Sequence, residues 1–166
     1  LVFAVLVIVQ VWAVPTANAQ LELQHSEDLE ADYGQLAASL DRVSSLGVSE
    51  TVSLDAGLRY PSRLFLINPP PASYTFAATD GQRISLAGVT ADDDEAADYL
   101  NSGDDPLDFA TVSYTYTPDY NLYTEAPSFH VEHGVVYKRF PNGQVVFVSE
   151  PDLLDGRRIS MTVFEG

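Results

Sequence analysis

The 166-residue sequence contains no cysteine, one lysine (Lys138), one methionine and one tryptophan. Without cysteine there are no disulfides, no thiolate nucleophile and no cysteine-ligated zinc or iron–sulfur centre. Basic residues are scarce: eight Lys and Arg stand against 24 Asp and Glu, for a formal net charge of −16. That surface repels phosphate backbones and anionic headgroups, which argues against nucleic acid or lipid surfaces as partners of the acidic domain. Neither a G-x-S-x-G elbow, a P-loop nor a dinucleotide fingerprint occurs, and there is no Asn-x-Ser/Thr sequon.

What is present begins with the skew itself. Seven of the eight basic residues are Arg. Acid excess with lysine depletion is expected of a protein bathed in molar salt, where the Debye length falls to about 3 Å and self-repulsion is screened. Hydrophobic residues still make up 46% of the chain, with nine Tyr and eight Phe, so a folded core is expected rather than a disordered acidic tail.

Residues 1–14 are apolar except for Gln10. Fourteen helical residues rise about 21 Å, short of the roughly 30 Å hydrocarbon core. The block starts without Met or a charged flank and is expected to continue a longer apolar segment. Residues 1–16 are therefore read as a membrane segment. Ala17-Asn18-Ala19 followed by Gln20 also fits a signal-peptidase site. Against cleavage stands the continuity of the next thirty residues. From Ala17 to Leu46 there is no Pro and one Gly, and Leu29, Tyr33, Leu36, Leu40 and Val43 form a stripe at 4-3-4-3 spacing. An amphipathic helix over 17–47, packed on its own domain and stopped by Gly47, is expected, with self-association through it as the alternative.

After Ser49 the period changes from 3.6 to 2. Val52, Leu54, Ala56 and Leu58 alternate as a half-buried strand, and Leu64 to Ile67 is an apolar run ended by Asn68-Pro69-Pro70-Pro71. Tyr74–Ala78, a turn at Asp80-Gly81 and Arg83–Leu86 read as a hairpin. Residues 91–108 read as a long acidic loop, with a helical turn around Ala96–Leu100. Val112, Tyr114 and Tyr116 alternate next. Val135–Phe140 and Gln144–Ser149 flank Pro141-Asn142-Gly143 as the clearest hairpin, and Ile159, Met161 and Val163 form a last strand. That strand runs to Gly166 with no closing turn, so the β region over 48–166 is expected to be truncated.

Candidate chemistry is thin. His130-Val131-Glu132-His133 has metal-ligating residues, but on a strand His133 points away from His130 and Glu132. Asp92-Asp93-Asp94-Glu95 lacks the alternating pattern that wraps calcium. No catalytic, cofactor or metal residue is assigned. Tyr114 and Tyr116 are expected in the core. Tyr120 and Tyr123 are expected to be exposed and are the candidate partner surface.

The order Val14-Pro15, Asn18-Ala19, Glu22, His25-Ser26, then Arg59-Tyr60-Pro61-Ser62-Arg63, Asn68-Pro69-Pro70-Pro71 and Asp155-Gly156-Arg157-Arg158-Ile159-Ser160 resembles the haloarchaeal surface proteins grouped with type IV pilin-like and archaellin-like exports. The resemblance implies an extracytoplasmic β domain on an N-terminal membrane helix, with no catalytic residues to carry over. The expectation is a mainly β fold, an antiparallel β-sandwich on a long N-terminal helix perturbed at Pro15. The expected function is non-enzymatic, in adhesion or surface assembly. A secreted hydrolase or carbohydrate-binding module released after Ala19 is the alternative.

Overall fold

A computed structural model describes residues 2–88 and 107–149, and the backbone of two short strands at 154–155 and 158–159. An N-terminal helical rod is followed by an extended strap and then an antiparallel sheet, as expected from the change of period.

The rod is α1 (Val2–Ile8), a π-helical turn at Val9–Ala13 and α2 (Val14–Leu46). Pro15 explains the interruption. It has no N–H to donate to the carbonyl of Val11 and its ring crowds that carbonyl. The backbone widens one turn, and Val14 N–H donates to Val9 O, five residues back. The rod ends as the sequence indicates: Gly47 takes φ 65° and its N–H caps Val43 O at 3.0 Å.

Five strands form one meander in the order β1-β2-β3-β4-β5: β1 Ser73–Leu86, β2 Leu107–Asp119, β3 Ser128–Glu132, β4 Val135–Arg139 and β5 Val145–Ser149. A separate pair, β6 Leu154–Asp155 and β7 Arg158–Ile159, is also antiparallel. Two turns are set by local chemistry. His133 and Gly134, both at positive φ, close β3 on β4 in two residues. Gly143 at φ 87° closes β4 on β5 at Pro141-Asn142-Gly143.

α2 lies against β4 and β5. The core between them holds Leu29, Tyr33 and Ala37 from the helix with Tyr116, Phe129, Val131 and Val136 from the sheet. Tyr33 stacks on Phe129 with ring centres 4.7 Å apart. Tyr116 is buried and Tyr114 packs beside it, as expected.

Two local expectations fail. The Asp80-Gly81 turn is absent, and β1 runs through it with a bulge between Thr79 and Gln82. Pairing with β2 gives twelve matched positions from Ser73↔Asp119 to Leu86↔Leu107, more than a five-residue hairpin offers, so the turn signal is absorbed as a bulge. Residues 52–58 keep their alternating burial but make no ladder beyond the bridge Leu58↔Ala72. They form the strap, whose backbone is held by side chains of the helix and of β2. Most of the acidic 91–108 segment, with the turn at 96–100, and the strand ends at Met161 and Val163 lie outside the described residues; Leu107 and Asp108 open β2.

Candidate functional site

The face of α2 that meets the strap changes from polar to apolar along its length. Val14, Asn18, Glu22, His25, Ser26, Leu29, Tyr33, Ala37 and Ser39 are its buried residues. The apolar stripe accounts for the half after Leu29. The half before it, Asn18, Glu22 and His25, is a hydrogen-bonded latch.

Glu22 is completely buried. Its Oε1 accepts the backbone N–H of Asn121 at 3.0 Å, and its Oε2 accepts those of Leu122 and Tyr123 at 2.9 and 2.6 Å. The Tyr60 hydroxyl donates to Oε1 as well. A carboxylate out of water needs this many donors, since an unpaired buried charge is costly. Burial and the Glu22 carboxylate push the Tyr60 phenol up to about 12, so it stays protonated as a donor. Asn121 ties the same point to the proline corner, its Nδ2 reaching Tyr60 Oη at 2.9 Å and Pro70 O at 3.0 Å.

One turn on, His25 joins two more segments. Its Nε2 lies 2.9 Å from Asp55 O and its Nδ1 2.5 Å from the Tyr120 hydroxyl. A carbonyl only accepts, so Nε2 carries the proton, and Nδ1 of a neutral ring accepts from Tyr120. One turn before Glu22, Asn18 Oδ1 accepts from Arg63 at 2.7 Å, and the same guanidinium nitrogen donates to Asn68 Oδ1 at 2.6 Å. Asn68 Nδ2 in turn donates to Pro61 O at 2.7 Å. Asn18 meets Arg63 and, through it, Asn68, Glu22 meets Tyr60 and, through Asn121, Pro70, while His25 meets the strap at Asp55.

Further along, Asp32 accepts the Asp55 N–H at 3.3 Å and Tyr116 donates to Ala56 O at 2.5 Å. Lys138 of β4 pairs with Glu30 at 2.6 Å. A half-open apolar cleft of about 250 Å³ lies beside the core, lined by Tyr33, Leu36, Leu40, Leu54, Phe76 and Tyr114, among others.

The expected exposure of Tyr120 is corrected by its position. It is 9% exposed, set edge-on to His25, and Tyr123 stacks on it half-buried. Its hydroxyl is drawn in because His25 needs a partner. His130 lies flat on Tyr137 and bonds Thr115 and Ser128, while His133 occupies the β3–β4 turn. Among the described residues no three His, Asp or Glu side chains converge as a metal site. The Asp92–Glu95 run lies outside them.

The rod Val2–Leu46 is long and apolar enough to cross a membrane, and little of its most apolar stretch is buried. No protein-family model matches the chain, and no solved structure matches it. It is similar to an uncharacterized protein of Archaeoglobus fulgidus, 30% identical over 144 residues, which are 87% of this chain. The matched part is 23% of that protein's length, so the chain spans about a quarter of its relative.

Proposed function

We propose that the chain is a non-enzymatic, membrane-anchored protein of the cell surface, pilin-like in plan, which acts in adhesion or surface assembly in a halophile. The observation that carries the reading is the continuity of the rod. The apolar segment passes into α2 without a loop, and the packed face starts at Val14, within that segment. Cleavage after Ala19 would cut this face between Asn18, which holds Arg63, and Glu22. A removable signal sequence has no reason to be bonded into the mature domain. The Lys-poor acidic domain suits an external, salt-rich medium.

The experiment is intact-mass and N-terminal measurement of the native protein after separating membrane and medium. The expected result is an uncut apolar segment in the membrane fraction. A protein starting at Gln20 in the medium overturns the anchor and leaves the secreted alternative. Electron microscopy of material sheared from cells then tests surface assembly.

A further inference from the structure

We propose that the loop 61–68 is a second membrane-inserted element, with its Leu64-Phe65-Leu66-Ile67 tip immersed in lipid hydrocarbon beside the anchor. The inference rests on the anchor reading and goes beyond it. Leu64, Phe65 and Ile67 are 85%, 87% and 79% exposed, the largest exposures among the described large apolar residues beyond the apolar N-terminal block. Soluble surfaces rarely carry adjacent large apolar residues turned outward in this way. Phe65 is also held at φ 62°, an uncommon conformation for a bulky residue, within the turn that presents the tip.

The occupant is identified by where the tip is attached. Gln10 is the one polar residue of the apolar block. Its Nε2 donates to Ile67 O at 2.8 Å and its Oε1 accepts the Ile67 N–H at 2.9 Å. In hydrocarbon, an amide side chain and a loop peptide are each costly unless satisfied. Here each satisfies the other. Whatever medium surrounds the anchor at Gln10 therefore also surrounds Ile67. Exposed Val7, Val11 and Trp12 are within one turn of the same level.

The charges agree. Arg63 is bonded at Asn18, eight residues beyond Gln10 and so about 12 Å further along the axis. That is a suitable height for a headgroup phosphate above a tip set in the acyl chains. Exposed Arg59 is four residues away, and neither Arg enters an ion pair among the described residues. Glu22, the first acid of the chain, is enclosed. The rim near the membrane is thus locally basic on a chain of net charge −16.

The absence of cysteine makes the test direct. Leu64→Cys in the full chain is labelled with an environment-sensitive fluorophore and reconstituted in phosphatidylcholine vesicles, with and without lipids bearing nitroxide on the acyl chain. Phe65→Cys is the second labelled variant and Asn142→Cys the distal control; circular dichroism checks each fold. Trp12 emission reports the anchor separately. The expected result is several-fold stronger quenching at 64 and 65 than at 142, together with quenched Trp12. Quenched Trp12 with labels at 64 and 65 no more quenched than at 142 overturns the loop and leaves the anchor. Unquenched Trp12 overturns both. Self-quenching that rises with protein density, without lipid quenching, assigns the tip to a second copy and overturns the proposal.

Discussion

Oε2 of Glu22 lies 2.9 Å from the backbone nitrogen of Leu122, one hundred residues along the chain. With its neighbours this contact joins helix, strap and the segment after β2 at a single carboxylate. Glu22→Gln keeps the shape but turns an N–H₂ toward a donor and removes the charge. Hydrogen bonds to charged groups are worth about 1.5–3 kcal/mol each, so a loss of roughly 2–4 kcal/mol is expected. Tyr60→Phe removes one donor and costs less, about 1–2 kcal/mol. Denaturant unfolding of both variants and the double variant, in detergent, checks this. The two losses are expected not to add, because they share one network.

Tyr33 and Tyr116 make a contrasting pair. Both are buried and their phenols are pushed up chiefly by desolvation, that of Tyr116 to about 12. The Tyr116 hydroxyl donates to Ala56 O, whereas the buried Tyr33 hydroxyl has no partner among the described residues. Tyr33→Phe is therefore expected to be neutral or stabilising. Tyr116→Phe leaves the Ala56 carbonyl unpaired and is expected to cost about 1–3 kcal/mol. Melting temperatures of the two variants, compared side by side, decide it. Equal losses would contradict the assignment.

His130 gives the fold a pH dependence. Burial, with Arg139 nearby, lowers its pKa from the ordinary 6.5. The folded state favours the neutral ring, so below about pH 6.5 the unfolded chain binds a proton that the folded chain does not. The contribution is complete above pH 6.5 and is lost as the pH falls from there toward the lower folded value. Melting temperature between pH 7.5 and pH 5 should fall, and less steeply in His130→Gln. An unchanged slope would remove His130 from the account.

Salt is expected to stabilise the chain. The Debye length is about 3 Å at 1 M and about 10 Å at 0.1 M, so the repulsion summed over −16 is relieved by salt. The 17 residues 92–108, with eight acids and no base, contribute strongly to that charge. Circular dichroism melts should rise from 0.1 M to 2 M salt, with sucrose as the non-ionic control. A constant melting temperature would count against the halophilic reading.

Features set by adjacent residues were legible in the sequence. Gly47 ends the helix, and Pro141-Asn142-Gly143 turns β4 into β5. Each rests on the conformational range of one or two residues. Asp80-Gly81 carried the same kind of signal, but the long register with β2 outweighed it. The strap was legible in period but not in partner, because alternation says which side is buried and not what covers it. The latch was hidden by its polarity. Carried backward from Leu29, the 4-3 spacing lands on His25, Glu22 and Asn18, and an apolar stripe does not count such residues. Tyr120 was misplaced for the same reason, since its partner His25 is itself a buried polar group.

The polar face of α2 also bears on the order in which the molecule is made. Glu22 leaves the ribosome nearly a hundred residues before the amides at 121–123 that enclose it. Until those amides arrive the Glu22 carboxylate keeps water as a partner, so the half-built helix presents no sticky surface next to its apolar end. An apolar face at the same place would have to be shielded until its cover is made. Closing on polar groups lets the newborn rod stand in water and wait for its domain.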